Sequence, residues 1–288
     1  MEGKEKIAIS GATGFIGKKL VDFLEQNGYQ VLKLNRAILH NPAELTKAIN
    51  GSDAVINLAG HSIAKKWNEK TKRKILYSRL NVTRRIVDAV EAAVDKPDVV
   101  ISASAVGIYD AFEVHDEFST SYADDFLGEV CQKWEAEALR ISNVKNVRLC
   151  LIRLGAVLGK EGGAFPKLIK PFKFGFGSTL GDGHQVFPFI HIKDVLSGIW
   201  YLLKREASGG IYNFVAPEMI SNLEFSIALA EKLNRPLWLK VPEFALRMIL
   251  GEGANFLLVG QKVVPKRMLK DDFHFSYPTL ESILNDLC

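Results

Sequence analysis

Three cysteines in 288 residues exclude a disulfide-built scaffold, which would be dense in cystine. Cys131, Cys150 and Cys288 are odd in number and lack the spacing of a zinc site. No metal is expected, and a reducing, cytoplasmic-type compartment is. Long apolar runs are missing too. The start, MEGKEK, is charged and the apolar stretch behind it is only IAIS, so neither a targeting signal nor a membrane partner is expected. There is no internal repeat and no low-complexity tract. Charge of one sign is scarce: 37 basic against 33 acidic residues leave a net +4. One basic run, KKWNEKTKRK (65–74), lacks the aromatic interleaving of a nucleic-acid surface, and no nucleic-acid partner is expected. It reads as a solvated helix face or as a local field that attracts an anionic ligand.

What is present is an alternation of strand and helix patterns over the first 160 residues. Strands are expected at KIAIS (6–10), QVLKL (30–34), DAVINLA (53–59), DVVISAS (98–104) and NVRLCLIRL (146–154), the last with Cys150 in the core. Helices are expected at 14–27, ending at Gly28 as a C-cap, at about 69–93, and at 124–142. Repeated βα units imply an α/β fold, a doubly wound parallel sheet with helices on both faces. After residue 155 the rhythm breaks into a segment rich in Gly, Lys and Phe (159–189). Its Lys160, Lys167, Lys170 and Lys173, with Phe165 and Phe172, read either as a cover layer with solvated lysines or as the wall of a pocket for an anionic ligand. IHIKDVLSGIWYLL (190–203) returns to strand and helix, and GIYNFVA (210–216) is a further strand. The last helix starts at Pro278 and buries Leu280, Ile283, Leu284 and Leu287.

The most specific local signal is ISGATGFIGKKL (9–20), which joins a strand directly to a helix. Gly11 allows a tight turn, Gly14 lets the backbone approach a pyrophosphate, and Gly17 permits close helix–strand packing. With Ala12, Thr13, Phe15 and Ile16 they form a dinucleotide-binding turn at a helix N-terminus. The second strand then ends in Asn35 and Arg36, with no acid to accept from a ribose 2′-hydroxyl. Arg36 suits a 2′-phosphate, so NADP is expected over NAD; the alternative is a solvated loop residue. Residues 1–157 and 187–215 are assigned to a Rossmann-type nucleotide-binding domain, and 158–186 and 216–288 to a smaller α+β substrate-side domain.

SGATGFIG, NLAG (57–60), SASAVGIY (102–109) and FIHIKDV (189–195) together resemble the extended short-chain dehydrogenase/reductases, the nucleotide-sugar epimerases and dehydratases. NLAGHSIAKKWNEKTKRKILYSRLNVTRRIVDAV, DDFLGEVCQKWE and GQKVVPKRMLKDDFHFSYPTLESILNDL resemble an atypical branch of epimerase family proteins of uncertain function, with a small C-terminal domain. The resemblance runs nearly the full length. It implies a cofactor held by the glycine turn and by Leu58, Ala59 and Gly60, and a small, nucleotide-sugar-like substrate. Ordinary members carry a Tyr-x-x-x-Lys pair on the helix at 124–142. Anchored on Glu135, the match puts Leu127 at the tyrosine and Cys131 at the lysine. Ser104 matches the catalytic Ser or Thr, and Arg79 stands where an asparagine is usual. Tyr109 matches the tyrosine of a pocket-lining VYG stretch, with Asp110 in place of the glycine.

Ser104, Cys131, Arg79 and Tyr109 are therefore the catalytic candidates, with Ser104 and Cys131 also beside the cofactor. Cys131 lies on the apolar side of its helix with Leu127, Val130, Trp134, Ala138 and Ile141. It is either core or an acid–base thiol, the latter if Arg79 lowers its pKa. His61 and His184 are further candidates, His191 reads as a packing and hydrogen-bond residue, Asp194 is expected to cap the helix that follows it, and Arg153 is an exposed strand end or a contact to substrate or to the interdomain seam. The reading is an NADP-binding oxidoreductase- or epimerase-type enzyme, with a non-catalytic NADP-binding sensor as the alternative. Superfamily relatives pair through two helices, so a homodimer through 69–93 and 124–142 is expected.

Overall fold

Short aliphatic runs give six parallel strands in the computed structural model, which describes residues 5–288. The first four residues of the charged start lie outside the described residues. The strands are β1 (Lys6–Ser10), β2 (Gln30–Leu34), β3 (Ala54–Asn57), β4 (Val99–Ala105), β5 (Arg148–Leu154) and β6 (Gly210–Phe214). Their order in space is β6-β5-β4-β3-β1-β2. The chain runs from β1 outward to β2 and then crosses back past β1 to β3. That reversal opens a crevice at the C-terminal ends of β1 and β3, where open α/β sheets bind their ligands. The family fold expected from the sequence, a doubly wound Rossmann-type sheet, is the fold observed.

The longest helices that cover the sheet are α1 (Phe15–Gln26), α2 (Glu69–Ala92), α3 (Phe126–Leu139) and α4 (Ile192–Lys204). On one face Leu20, Leu24, Ile199 and Leu202 of α1 and α4 meet Ile7, Ile9, Ile56 and Ile101. On the other, Ile86, Val90 and Ala138 of α2 and α3 meet Val55, Val100 and Leu149. Each fully buried aliphatic side chain contributes about 1.5–3 kcal/mol relative to exposure, so these two layers hold the sheet between them. Beyond α1 the chain turns through Gly28 at φ +89°, which lets Tyr29 N donate back to Leu24 O (3.1 Å). The pattern over 124–142 resolves into α3 and a 3₁₀ turn, Arg140–Asn143. Pairing of β3 stops at Asn57, because Leu58–Gly60 turns away beneath the glycine turn.

A second core forms where the sequence rhythm breaks. Phe165, Phe172, Phe189 and Phe225 pack with Leu280, Ile283 and Leu284 of the final helix, Leu280–Leu287. Phe165 and Phe172 are thus a cover layer, with Lys167, Lys170 and Lys173 exposed, and the pocket-wall reading falls away. The expected helix start at Pro278 and the expected cap at Asp194 are both displaced. The final helix starts at Leu280 and Thr279 caps it, accepting from Ser282 N (3.2 Å). His191, not Asp194, caps α4, accepting from Lys193 N (3.3 Å). Asp194 is fully buried and accepts from Ser276 N (2.8 Å) and Tyr277 N (3.0 Å), which ties α4 to the C-terminal segment. Among the described residues no helix is long and apolar enough to cross a membrane.

Candidate functional site

Sheet register brings the nucleotide-side residues together. Ser10 pairs with Leu34 of β2 and with Asn57 of β3, so Gly11, Arg36 and Leu58 leave the sheet at one edge. Gly11 has φ +73°, and a Cβ there would lie 2.7 Å from the Leu58 carbonyl carbon. A Cβ on Gly17 would lie 2.2 Å from Gly11 O. These two positions admit only glycine. Gly14 N donates to Gly11 O (2.9 Å), and no side chain caps α1, whose first turn holds no acid. By contrast Asn68 caps α2 through Thr71 N (2.8 Å) and Asp125 caps α3 through Gly128 N (2.8 Å). The uncapped turn, with Thr13 and Gly14 exposed and Ala12 and Ile16 half-buried beside them, is a bed for an anion.

Phe15 does something the sequence did not suggest. Its ring seats against a glycine hairpin, where Cβ atoms on Gly159, Gly162 and Gly163 would come within 2.5, 2.3 and 3.0 Å of it. Lys19 and Glu161 bridge the same contact at 2.5 Å. Below the bed, Ser10 Oγ donates to Asn57 Oδ1 (2.6 Å) and Asn57 Nδ2 donates to Thr83 Oγ1 (2.8 Å). Ala59 N also donates to Asn57 Oδ1 (3.3 Å), which fixes the turn Leu58–Ala59–Gly60. Arg36 is exposed at the first position of a one-turn helix, Arg36–His40. Asn35 is engaged as that helix's cap, accepting from Ile38 N (3.0 Å), whereas the Arg36 guanidinium makes no ion pair or hydrogen bond among the described residues.

The other half of the crevice is closed. Ser104, Arg153 and Asn213 are register partners across β4, β5 and β6. Arg153 is fully buried, so it is neither a solvated strand end nor a free substrate contact. It donates through Nε to Glu135 Oε1 (2.8 Å) and through Nη2 to Glu135 Oε2 (2.6 Å), a bidentate pair. Burial works against its charge, but Glu135 and Tyr109 together hold its pKa above the usual arginine value. Ser104 Oγ donates to the same Glu135 Oε1 (2.5 Å). Tyr109 Oη accepts from Arg153 Nη1 (2.6 Å) and faces Asn213 Oδ1 at 2.9 Å. Burial pushes the Tyr109 phenol up to about 12. Asp110, at the family's glycine, accepts from Phe112 N (2.8 Å) and lies 3.1 Å from Nε2 of His115, whose ring stacks on Tyr109.

Cys131 is 3% exposed, among Val106, Ile108, Tyr109, Val215 and Val263. Burial, aided by the charge of Glu135, pushes its thiol up to about 12, and the opposing fields of Arg79 and Arg153 do not overcome it. Arg79 does act to lower this pKa, as expected, but burial and Glu135 outweigh it, so the thiol stays protonated at neutral pH. Arg79 braces the Leu58–Gly60 turn, donating to His61 O (3.0 Å) and Ile75 O (3.1 Å) with its guanidinium 5.2 Å from the Trp134 ring. Burial lowers its pKa, but a guanidinium stays charged. His61 is half-buried, and burial followed by Lys65, Lys74 and Arg79 lowers its pKa, so its ring is neutral at pH 7. His184 is exposed in the turn at Asp182. His191 is buried and pushed down to about 4, chiefly by burial. The residues that sequence reasoning missed are Glu135 as an ion-pair partner, Asn57, Thr83 and Asn213. The visible signal for Glu135 was an acid four residues after Cys131, on the buried side of α3.

A family model described as the NAD dependent epimerase/dehydratase family matches residues 7–214, and a domain of unknown function, DUF1731, matches 241–287. The epimerase family protein SDR39U1 homolog, chloroplastic, of Arabidopsis thaliana is 38% identical, with 98% of this chain and 86% of that protein covered. The epimerase family protein YfhF of Bacillus subtilis is 36% identical over 98% of this chain and 97% of its own. Among solved structures, human epimerase family protein SDR39U1 (isoform 2), crystallised with NADPH, superposes with a TM-score of 0.90 at 32% identity, covering 98% of both chains. A dTDP-4-dehydrorhamnose reductase of Bacillus anthracis, at 17% identity and a TM-score of 0.78 over 99% of each chain, shares the fold. A glycine turn, a switch-point crevice and full-length kinship thus converge: the chain belongs to the NAD-dependent epimerase/dehydratase family, in the SDR39U1-like branch that carries this C-terminal domain.

Proposed function

We propose that the chain is an NADPH-binding enzyme of oxidoreductase or epimerase type, acting on a small molecule without the Tyr–Lys dyad of ordinary relatives. The observation that carries this is the uncapped glycine bed beside Arg36, whose guanidinium has no partner among the described residues. The crystallisation of a human relative with NADPH supports it. The bed suits the pyrophosphate, and Arg36 suits a 2′-phosphate through a bidentate contact. Bound NADPH supplies a hydride. The chain's own part is to orient the cofactor and to hold or move the accompanying proton. Leu127 has no proton to give, and Cys131 and Tyr109 keep theirs at neutral pH. His61, neutral and next to the Leu58–Gly60 turn, is the group we assign to proton exchange.

A second reading, a non-catalytic NADP-binding sensor, is favoured by one observation: the hydroxyl of Ser104 is directed at Glu135, inside the closed network. Calorimetric titration with NADPH and NADP+ separates the two. Similar affinities favour the enzyme, because a ligand pair with equal affinities shifts no equilibrium between protein states. A large gap between the redox forms favours the sensor. We also propose a test of the expected homodimer. Its α2–α3 face carries the pairs Arg84–Glu137 and Arg140 with Asp88 and Glu91, which a partner would have to cover. Light scattering that gives the mass of one chain removes the dimer.

A further inference from the structure

The Lys- and Phe-rich surface of the smaller domain has no part in the crevice. Residues 162–181 contain Lys167, Lys170 and Lys173 and no acid; residues 232–242 contain Lys232, Arg235 and Lys240 and no acid. Parallel pairing of Gly177–Leu180 with Leu237–Val241 lays the two stretches side by side. Trp238 Nε1 donates to Gly175 O (3.3 Å), which brings the indole onto the turn after the helix Phe165–Lys173. That helix buries Phe165, Ile169 and Phe172 and leaves its lysines in water. Beside them three large rings are also left in water: Phe174 is 69% exposed, Phe176 64% and Trp238 75%. Exposed aromatic rings grouped on neighbouring segments with exposed basic residues mark an interaction surface.

We propose that this face docks on the surface of an anionic lipid bilayer. The charge selects the occupant. A second copy of the chain, packed face to face, would set lysines against lysines, because a two-fold contact places the same patch on both sides. A bilayer interface satisfies both parts of the patch. Aromatic rings rest at headgroup depth, while lysine stems lie along the apolar layer and their ammonium groups reach anionic headgroups. The expectation of no membrane partner rested on the missing apolar span, and a peripheral contact needs none.

The test is co-sedimentation of the full chain with phosphatidylcholine vesicles, with and without about 30% phosphatidylserine, in low and high salt. Binding to the serine-lipid vesicles is expected to be at least about tenfold tighter and to fall in high salt. The triple variant F174S/F176S/W238S is expected to lose about tenfold, and K167Q/K170Q/K173Q at least as much. All six positions are exposed, so both variants should fold, and their urea midpoints check this. Equal partition into both vesicle types, or no loss in a folded lysine variant, overturns the proposal. So does protein-concentration-dependent self-association that the aromatic variant abolishes, which assigns the face to a second copy. Capture by polyglutamate without any vesicle binding overturns it in favour of an acidic protein.

Discussion

The two halves of the crevice are built from one sheet and solve opposite problems. At the ends of β1, β2 and β3 two sets of donors have no side-chain partner among the described residues: the backbone of an uncapped helix and the guanidinium of Arg36. At the ends of β4, β5 and β6 the polar side chains pair with one another, through Ser104, Glu135, Arg153, Tyr109 and Asn213. An open half can receive an anion, because its donors have water as their only competitor. A closed half cannot exchange protons with a ligand until a pair breaks. It holds a charge out of water and ties β4, β5 and β6 to α3.

The largest effect is expected from breaking the closed half. Glu135→Gln leaves a buried arginine without its counter-charge, at a cost of about 3–5 kcal/mol in urea unfolding. Glu135→Leu combined with Arg153→Met should lose much less than either single change, because no unpaired charge remains. Next is alkaline pH. The thiol of Cys131 and the phenol of Tyr109 are raised to about 12 in the fold, so above pH 9 the unfolded chain releases protons that the folded chain keeps. Stability should therefore fall by about 1.4 kcal/mol per pH unit for each group, from about pH 9 for Cys131 and from about pH 10 for Tyr109, up to about pH 12. Cys131→Ala should flatten that slope; an unchanged slope would remove Cys131 from the closed half. Gly11→Ala attacks the open half. Its Cβ would press on the Leu58 carbonyl at positive φ, and a loss of about 1–3 kcal/mol with collapse of NADPH binding is expected. Retained NADPH affinity in this variant would move the cofactor away from the glycine turn.

The open half was legible because its signals are contiguous. Seven residues from Gly11 to Gly17 carry the turn, and Arg36 is found by counting from the end of β2. The closed half was not, because its partners are far apart in the chain: 31 positions separate Ser104 from Glu135, and 104 separate Tyr109 from Asn213. Only strand order and register make Ser104, Arg153 and Asn213 neighbours, and neither is written locally. Resemblance pointed to Ser104, Cys131 and Tyr109 as positions, but their protonation follows from burial depth, which spacing does not reveal. Glu135 and Arg153 did leave a trace, as opposite charges set into apolar faces of neighbouring elements. The cap expected at Asp194 falls to His191 because tertiary contacts draw Asp194 away to Ser276 and Tyr277.

The most direct test of the open half as the cofactor site is calorimetric titration of the wild type and Arg36→Ala with NADPH and NADH. The account predicts that the wild type prefers NADPH by about tenfold or more, and that the variant loses about tenfold on NADPH with little change on NADH, as expected for one charge-assisted contact to a phosphate. A wild type that binds NADH as tightly as NADPH, or a variant that weakens both equally, would contradict it.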